Sequence, residues 1–409
     1  MPQDSITRRT FGTAALVAGL SSDAAAQNAP AAAPAADESD IGSLYPFVQK
    51  LADSTLFGLS YLHPEFKSLP DWQKRARAAV LAKLLYSPPA VKPEAVTISR
   101  EDRGDYTEER VTFQTTPLIR VPALVLIPKG AHRPAPGIVA LHDHGGFYLW
   151  GKEKLVEHEG EHLVLTQFRK QYYSGRSTGV ELVRQGYVVV VIDMLYWGER
   201  RMMYAGDADA LRERSPALSS SDIDAFHRRC SQNEQLLARS LLTAGATWPG
   251  VVLWDDIRTV DYLASRPEVD PKRIGCVGLS VGGYRSFLLA ALDPRIRAAV
   301  AVGWMTSFRA QIKKHVIQPE GFSFHVPLLP ELDLPDLAAL VAPRSVMVIN
   351  GSRDGLFHRD GVKAAHEKIA ACYRKAGVPD HQKASLYDAP HEFNADMQVD
   401  AWAWLKRWI

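Results

Sequence analysis

Between residues 137 and 387 the chain alternates short apolar runs with stretches of helical periodicity, and few folds accept that pattern. Residues 137–141 (GIVAL), 187–192 (YVVVVI), 273–277, 298–302 and 345–349 are rich in β-branched and small apolar side chains. Residues 179–185, 254–265, 282–292 and 362–376 carry helical spacing between them, and 384–387 and 395–408 add a last strand and helix. A strand that is polar on neither face must be covered on both. The pattern therefore predicts a mostly parallel sheet with helices on each side, an α/β architecture. Residues 96–100, 110–114 and 121–127 read as three further strands ahead of it, closed by the turn Pro128-Lys129-Gly130. Ligands of such sheets bind beyond the carboxyl ends of the strands, so any chemistry belongs in the loops that follow them.

Composition narrows the function classes. Lys and Arg number 48 against 46 Asp and Glu, a net charge of +2 over 409 residues. That balance offers no basic field to nucleic acid, and no nucleic-acid partner is expected. A hydrophobic share of 46% excludes a disordered or fibrous chain. The three cysteines, Cys230, Cys276 and Cys372, are odd in number and widely spaced, which excludes a disulfide framework or a CxxC zinc pattern.

The N-terminus carries Arg8-Arg9 ahead of a mild apolar stretch from Gly12 to Leu20 and then Ala24-Ala25-Ala26. It resembles a Tat-type export signal over residues 1–26, and its apolar stretch is far shorter than the ~20 apolar residues of a spanning helix. The expectation is a periplasmic or secreted protein whose mature chain starts near Gln27, without membrane attachment once the signal is removed. Residues 27–40 read as an Ala/Pro-rich linker. Residues 41–95 read as a helical arm packed on the main domain, with Phe47, Leu51, Leu56, Ala79, Leu81, Leu84 and Leu85 as its apolar positions. Residues 96–409 form the remaining domain. Two connections in it, about 147–177 and 198–252, are too long for plain βα loops. Both leave the carboxyl edge of the sheet, as walls or a lid would.

The strand at 273–277 runs into Gly278-Leu279-Ser280-Val281-Gly282-Gly283-Tyr284 and then a helix. This is G-x-S-x-G in strand–turn–helix context. A turn that sharp requires small neighbours two positions either side of the serine, and it lifts the hydroxyl above the sheet. It also aims the Val281 amide, at a helix N-terminus, toward a developing oxyanion. A serine needs a base to take its proton. His391, after the last strand, fits that place, and Asp354, in Asn350-Gly351-Ser352-Arg353-Asp354-Gly355, fits that of its acid. The order Ser280, Asp354, His391 is the chain order of such sites. Asp360 and Glu392 are the rival acids: Asp360 reads as a helix N-cap, and Glu392 directly follows the histidine. A second oxyanion donor is expected from His142-Asp143-His144-Gly145-Gly146, after the strand at 137–141. The His144 amide is preferred and Gly145 is the alternative.

Together LHDHGG, GLSVGGY, NGSRDG and APHEF resemble the α/β-hydrolase superfamily, and more narrowly its dienelactone-hydrolase-like and acetyl xylan esterase branch. The resemblance spans about residues 95–409. It implies an eight-stranded, mostly parallel sheet with helices on both faces, the N-terminal arm and two insertions being additions to it, and ester hydrolysis with no cofactor. Dienelactone hydrolases proper use a cysteine where this chain has Ser280, which favours an ordinary carboxylic ester. The expected function is a secreted serine carboxylesterase working through an acyl-enzyme, an acetyl esterase on carbohydrate, whose partner is a small-molecule or carbohydrate ester. The alternatives are a serine peptidase of prolyl-oligopeptidase type and a non-catalytic binding module. The peptidase reading lacks room for the β-propeller that precedes such domains. The sequence leaves the oligomeric state open.

Tyr148, Trp150, Trp197 and Trp304 follow strands or lie in the insertions, where they would wall a substrate pocket or simply pack. His158-Glu159-Gly160-Glu161-His162 matches H-E-x-x-H, the zinc pattern of a helix. Gly160 and the surrounding charges argue for a solvated segment instead, and no metal is expected.

Overall fold

The computed structural model describes residues 39–409 apart from Leu56, residues 315–327 and Leu329. The signal reading for residues 1–26, nearly all of the linker and Leu56 lie outside the described residues.

The sheet is built from β1 (Val96–Asp102), β2 (Tyr106–Thr116), β3 (Ile119–Pro128), β4 (Ala135–Leu141), β5 (Val188–Ile192), β6 (Val269–Leu279), β7 (Ile296–Val302), β8 (Ser345–Gly351) and β9 (Gln382–Tyr387). Their order across the sheet is β1-β2-β3-β5-β4-β6-β7-β8-β9. The first three strands and the β3–β5 pair are antiparallel, and every other pair is parallel. The nine strands exceed by one the eight that the family resemblance implies. From β4 the chain moves to one side to form β5, then crosses to the other side to form β6. The carboxyl ends of β4 and β6 therefore flank the switch point, where an open sheet leaves a crevice.

The apolar runs are charge-free because both of their faces are covered. Along β5, Val188, Val190 and Ile192 enter one core. Tyr187, just ahead of the strand, joins Val189 and Val191 in the other. Helices Trp248–Ala264, Val281–Leu292 and Arg359–Lys375 supply the first core. Helices Thr178–Arg184 and Ala395–Trp408 supply the second. The helix expected at 254–265 starts earlier, at Trp248. Thr247 caps it by accepting from the Gly250 amide, and Pro249 sits in its first turn.

The arm packs on the hydrophobic core through Trp72, Ala76, Val80 and Leu84, spaced four apart on helix Leu69–Leu84. Of the apolar positions anticipated there, Leu84 alone is buried among the described residues; Phe47, Leu51, Leu81 and Leu85 are exposed. The buried stripe is led by Trp72, whose Nε1 donates to Leu59 O at 2.6 Å. Arg77 Nε, on the same helix, donates to Ala291 O at 2.7 Å and so caps the end of Val281–Leu292. All three cysteines are free and buried.

Candidate active site

Ser280 joins β6 to helix Val281–Leu292 at φ +58°, ψ −126°. That region is costly for any residue with a Cβ and persists only where the surroundings over-determine it. Here the surroundings are backbone. Ser280 N donates to Val302 O on β7 at 2.7 Å. A Cβ at Gly278 would lie 2.4 Å from Leu141 O, and one at Gly282 2.0 Å from the same atom. The turn is thus pressed against the end of β4, with no room for a side chain at either glycine. The Ser280 side chain makes no cap to the helix that it precedes, so the Val281 and Gly282 amides at the helix N-terminus are not spent on it.

Asp354 and His391 come from the turns after β8 and β9. Gly351 brings them together, since its missing Cβ would fall 2.3 Å from Ala389 O and 2.6 Å from Pro390 O. Arg353 N donates to Ala389 O at 3.0 Å and locks the two turns. His391 Nδ1 then donates to Asp354 Oδ2 at 2.7 Å, while Asp354 Oδ1 accepts from Leu356 N at 2.9 Å. The Asp354 side chain is only 3% exposed, whereas that of His391 is 19% exposed. The carboxylate is buried and committed to the imidazole, and the ring keeps a face toward solvent. The ring also lies over Gly303, where a Cβ would meet its Cε1 at 3.1 Å. Gly303 follows Val302, the residue that binds the Ser280 amide. Ser280, Asp354 and His391 therefore share one stretch of the carboxyl edge. Of the rival acids, Asp360 sits exposed in the first turn of Arg359–Lys375, whose N-cap is His358 rather than Asp360. Glu392 accepts from Asn394 Nδ2 at 3.0 Å.

The loop at 142–146 lies across the switch point from Ser280 and is buried from below. His144 Nδ1 accepts from Gly146 N at 2.9 Å, which leaves Nε2 as the protonated nitrogen. Nε2 meets Glu234 Oε1 at 2.5 Å, and Tyr148 Oη donates to the same oxygen at 2.6 Å. Tyr173 Oη donates to Asp143 Oδ1. His142 Nε2 accepts from Met194 N at 3.1 Å, and burial beside Lys154 and Arg285 holds this imidazole neutral, well below the usual histidine range.

The aromatic residues divide. Tyr148 and Trp197 are fully buried, and Trp197 Nε1 donates to His144 O at 3.1 Å, so both lie beneath the loop. Trp150 is buried against Phe147, with ring centroids 5.0 Å apart. Trp304 packs between Tyr284 and Phe357 at 5.6 and 5.7 Å. Phe357 in turn stands 6.5 Å from the His391 ring. Sequence reasoning missed Phe357, although it lies three residues past Asp354. It also missed Lys154, Glu234 and Tyr173, which lie in or at the edge of the insertions and carry no periodic signal.

The H-E-x-x-H histidines do not share a helix face. His158 Nε2 meets Glu108 Oε1 of β2 at 2.9 Å. His162 is the N-cap of helix Leu163–Tyr172, and its Nε2 meets Leu218 O at 3.0 Å. Among the described residues no group of three or more His, Cys, Asp or Glu could hold a metal ion.

Known proteins share this arrangement of the fold. The Bacillus subtilis (strain 168) protein YtaP, designated a hydrolase, is 27% identical over 335 residues, 81% of this chain and 99% of its own. A Bacteroides fragilis NCTC 9343 structure designated an acetyl xylan esterase aligns with TM-score 0.64 at 21% identity, covering 84% of this chain and 82% of that one. A glucuronoyl esterase from Solibacter usitatus aligns at 0.54 and 15% identity, covering 82% and 93%. At such identities the two structures speak for the fold alone. The model of the Abhydrolase family matches residues 39–400, and the chain belongs to that family, a hydrolase of α/β-hydrolase fold.

Proposed function

We propose that the protein is a serine carboxylesterase and that Ser280, His391 and Asp354 form its catalytic triad. The observation that carries this reading is the convergence of three separate turns. A serine at φ +58° on a helix N-terminus shares a sheet edge with an imidazole held at 2.7 Å by a buried carboxylate. Ser280 Oγ attacks the ester carbonyl while His391 Nε2 takes its proton. Asp354 keeps Nδ1 protonated and stabilises the imidazolium that forms. The amides of Val281 and of His144, or Gly145 in its place, hold the oxyanion. Collapse expels the alcohol, which takes its proton from His391. Water activated by the same imidazole then releases the acid.

The substrate class proposed is an esterified carbohydrate, with acetyl esters first. Two structural relatives named as esterases of xylan acetyl groups and of glucuronoyl groups support it. Phe357 offers aromatic surface beside His391 on which a sugar or short acyl group packs, with Trp304 buried behind it. Export as a periplasmic or secreted protein belongs to the same reading, and the mass of the periplasmic form should place its start near Gln27.

The test is turnover of p-nitrophenyl esters of rising acyl length by the chain from Gln27 onward, beside Ser280→Ala. Fast acetate turnover that falls by at least about 10⁴-fold in the variant supports the triad and a deacetylase. Turnover that survives in Ser280→Ala overturns it. Preference for methyl glucuronate over acetate moves the ester from the acetyl to the uronate side.

A further inference from the structure

The loop at 142–146 rests on a buried cation. Lys154 ends the short turn Lys152–Lys154 in the first insertion, and its side chain is 0% exposed. Its Nζ donates to Asp143 O and to His144 O, both at 2.8 Å, and lies 3.3 Å from Asp143 Oδ2. The three N–H donors of the ammonium thus face three oxygens of the loop. Burial pushes the Lys154 pKa down, and the neighbouring Asp143 carboxylate opposes that shift. An apolar residue of similar volume would fill this space at less desolvation cost, so packing alone does not account for a lysine here.

Gripping two successive carbonyls has a geometric consequence. A trans peptide is planar, so its N–H points opposite to its C=O. The Asp143 carbonyl shares its peptide with the His144 amide, and the His144 carbonyl shares its peptide with the Gly145 amide. Both amides therefore face away from Lys154. Each carbonyl has a second grip on the same side: His142 Nδ1 donates to Asp143 O at 2.8 Å, and Trp197 Nε1 to His144 O at 3.1 Å. Gly145 completes the turn at φ +58°, where a Cβ would fall 2.5 Å from Asp143 Oδ2.

We propose that Lys154 is the positioning residue of the oxyanion site: by fixing the carbonyls of Asp143 and His144, it turns the amides of His144 and Gly145 toward the carbonyl oxygen of an ester at Ser280. This rests on the serine-esterase reading above. Lys154 touches neither substrate nor reacting atoms; it acts through the two peptides, which it also polarises into better donors.

Lys154→Met is compared with Lys152→Met. Lys152 is a buried lysine two residues away, but its Nζ pairs with Asp193 Oδ2 and Glu199 Oε1, both at 2.6 Å, and not with the loop. Each variant removes one buried cation; only one releases the carbonyls. Lys154→Met should lower kcat on p-nitrophenyl acetate about 30–300-fold with KM within about threefold. It should weaken by the same factor a trifluoromethyl ketone, whose serine adduct carries the oxyanion. Lys152→Met should change both by less than about fivefold, a lost buried pair with the chemistry intact. Equal losses in the two variants, or a folded Lys154→Met with near wild-type kcat, overturn the inference. If Lys154→Met does not fold, Trp197→Phe reads the second grip without removing a charge. A kcat lower by about 3–10-fold with matching loss of ketone affinity supports the inference, and unchanged ketone affinity overturns it. Turnover retained in Ser280→Ala overturns the serine reading and this inference with it. Turnover abolished there, with kcat intact in Lys154→Met, overturns this inference alone.

Discussion

The turns that carry Ser280, Asp354 and His391 and the loop at 142–146 share one edge of the sheet but are held by opposite means. The turns are held by backbone. Gly278, Gly282 and Gly351 each stand where a Cβ would come within 2.5 Å of a carbonyl oxygen, and main-chain bonds from Ser280 N and Arg353 N lock the crossings. The loop is held by buried charge from both insertions, Lys154 from the first and Glu234, 90 positions from His144, from the second. The two insertions therefore reach under the site as well as out from the edge. Function in the turns depends on a few atoms that contribute little to stability, whereas the loop's supports are also part of the core.

The sharpest way to break this comparison is a pair of variants. Asp354→Asn should lower kcat by about 10⁴-fold, since the amide no longer fixes the His391 tautomer. That is about 5.5 kcal/mol on the barrier. Its urea midpoint should stay near wild type, because the turns remain closed by Gly351 and the Arg353 amide. Glu234→Ala should do the reverse. It strips a buried carboxylate from His144 Nε2 and Tyr148 Oη, and should cost about 3–5 kcal/mol of folding stability by urea titration. The comparison fails if Asp354→Asn destabilises as much as Glu234→Ala.

The same division explains what the sequence made legible. A strained turn admits few residue types, so Gly278, Ser280 and Gly282 announce themselves within five positions. The closeness of Asp354 to His391 then follows from strand order alone. The unbroken apolar run from Val188 to Ile192, buried at every position, made β5 equally plain. By contrast, Lys154 stands among Lys152, Glu153 and Glu157, and a buried lysine in such a run looks no different from a solvated one. Glu234 lies 90 positions from its partner His144. Periodicity cannot report a contact at that separation, nor say that Tyr148 and Trp197 turn inward. The arm misled for a related reason. Several apolar positions on its helices compete for one interface, and Trp72, through its bulk and its bond to Leu59 O, selects the stripe.

The smallest expected effect concerns acid, and it too separates the two regions. His227, on helix Ser220–Thr243, stacks on Phe147 with ring centroids 4.8 Å apart, and its Nδ1 accepts from Tyr148 N at 2.9 Å. Burial, reinforced by the Lys154 charge, lowers its pKa from 6.5 to about 3. The unfolded chain therefore binds a proton below pH 6.5 that the folded chain refuses. Stability is lost as pH falls from 6.5 toward 3, by up to about 1.4 kcal/mol per pH unit for this residue. His142, the first residue of that loop, acts in the same direction. His227→Asn keeps an acceptor for the Tyr148 amide but does not titrate. Urea titrations at pH 7, 6, 5 and 4.5 should show it less stable than wild type at pH 7, where the ring stacking is lost. The gap should then narrow with each step into acid. A constant gap would mean that the floor of the loop is not where the fold resists protonation.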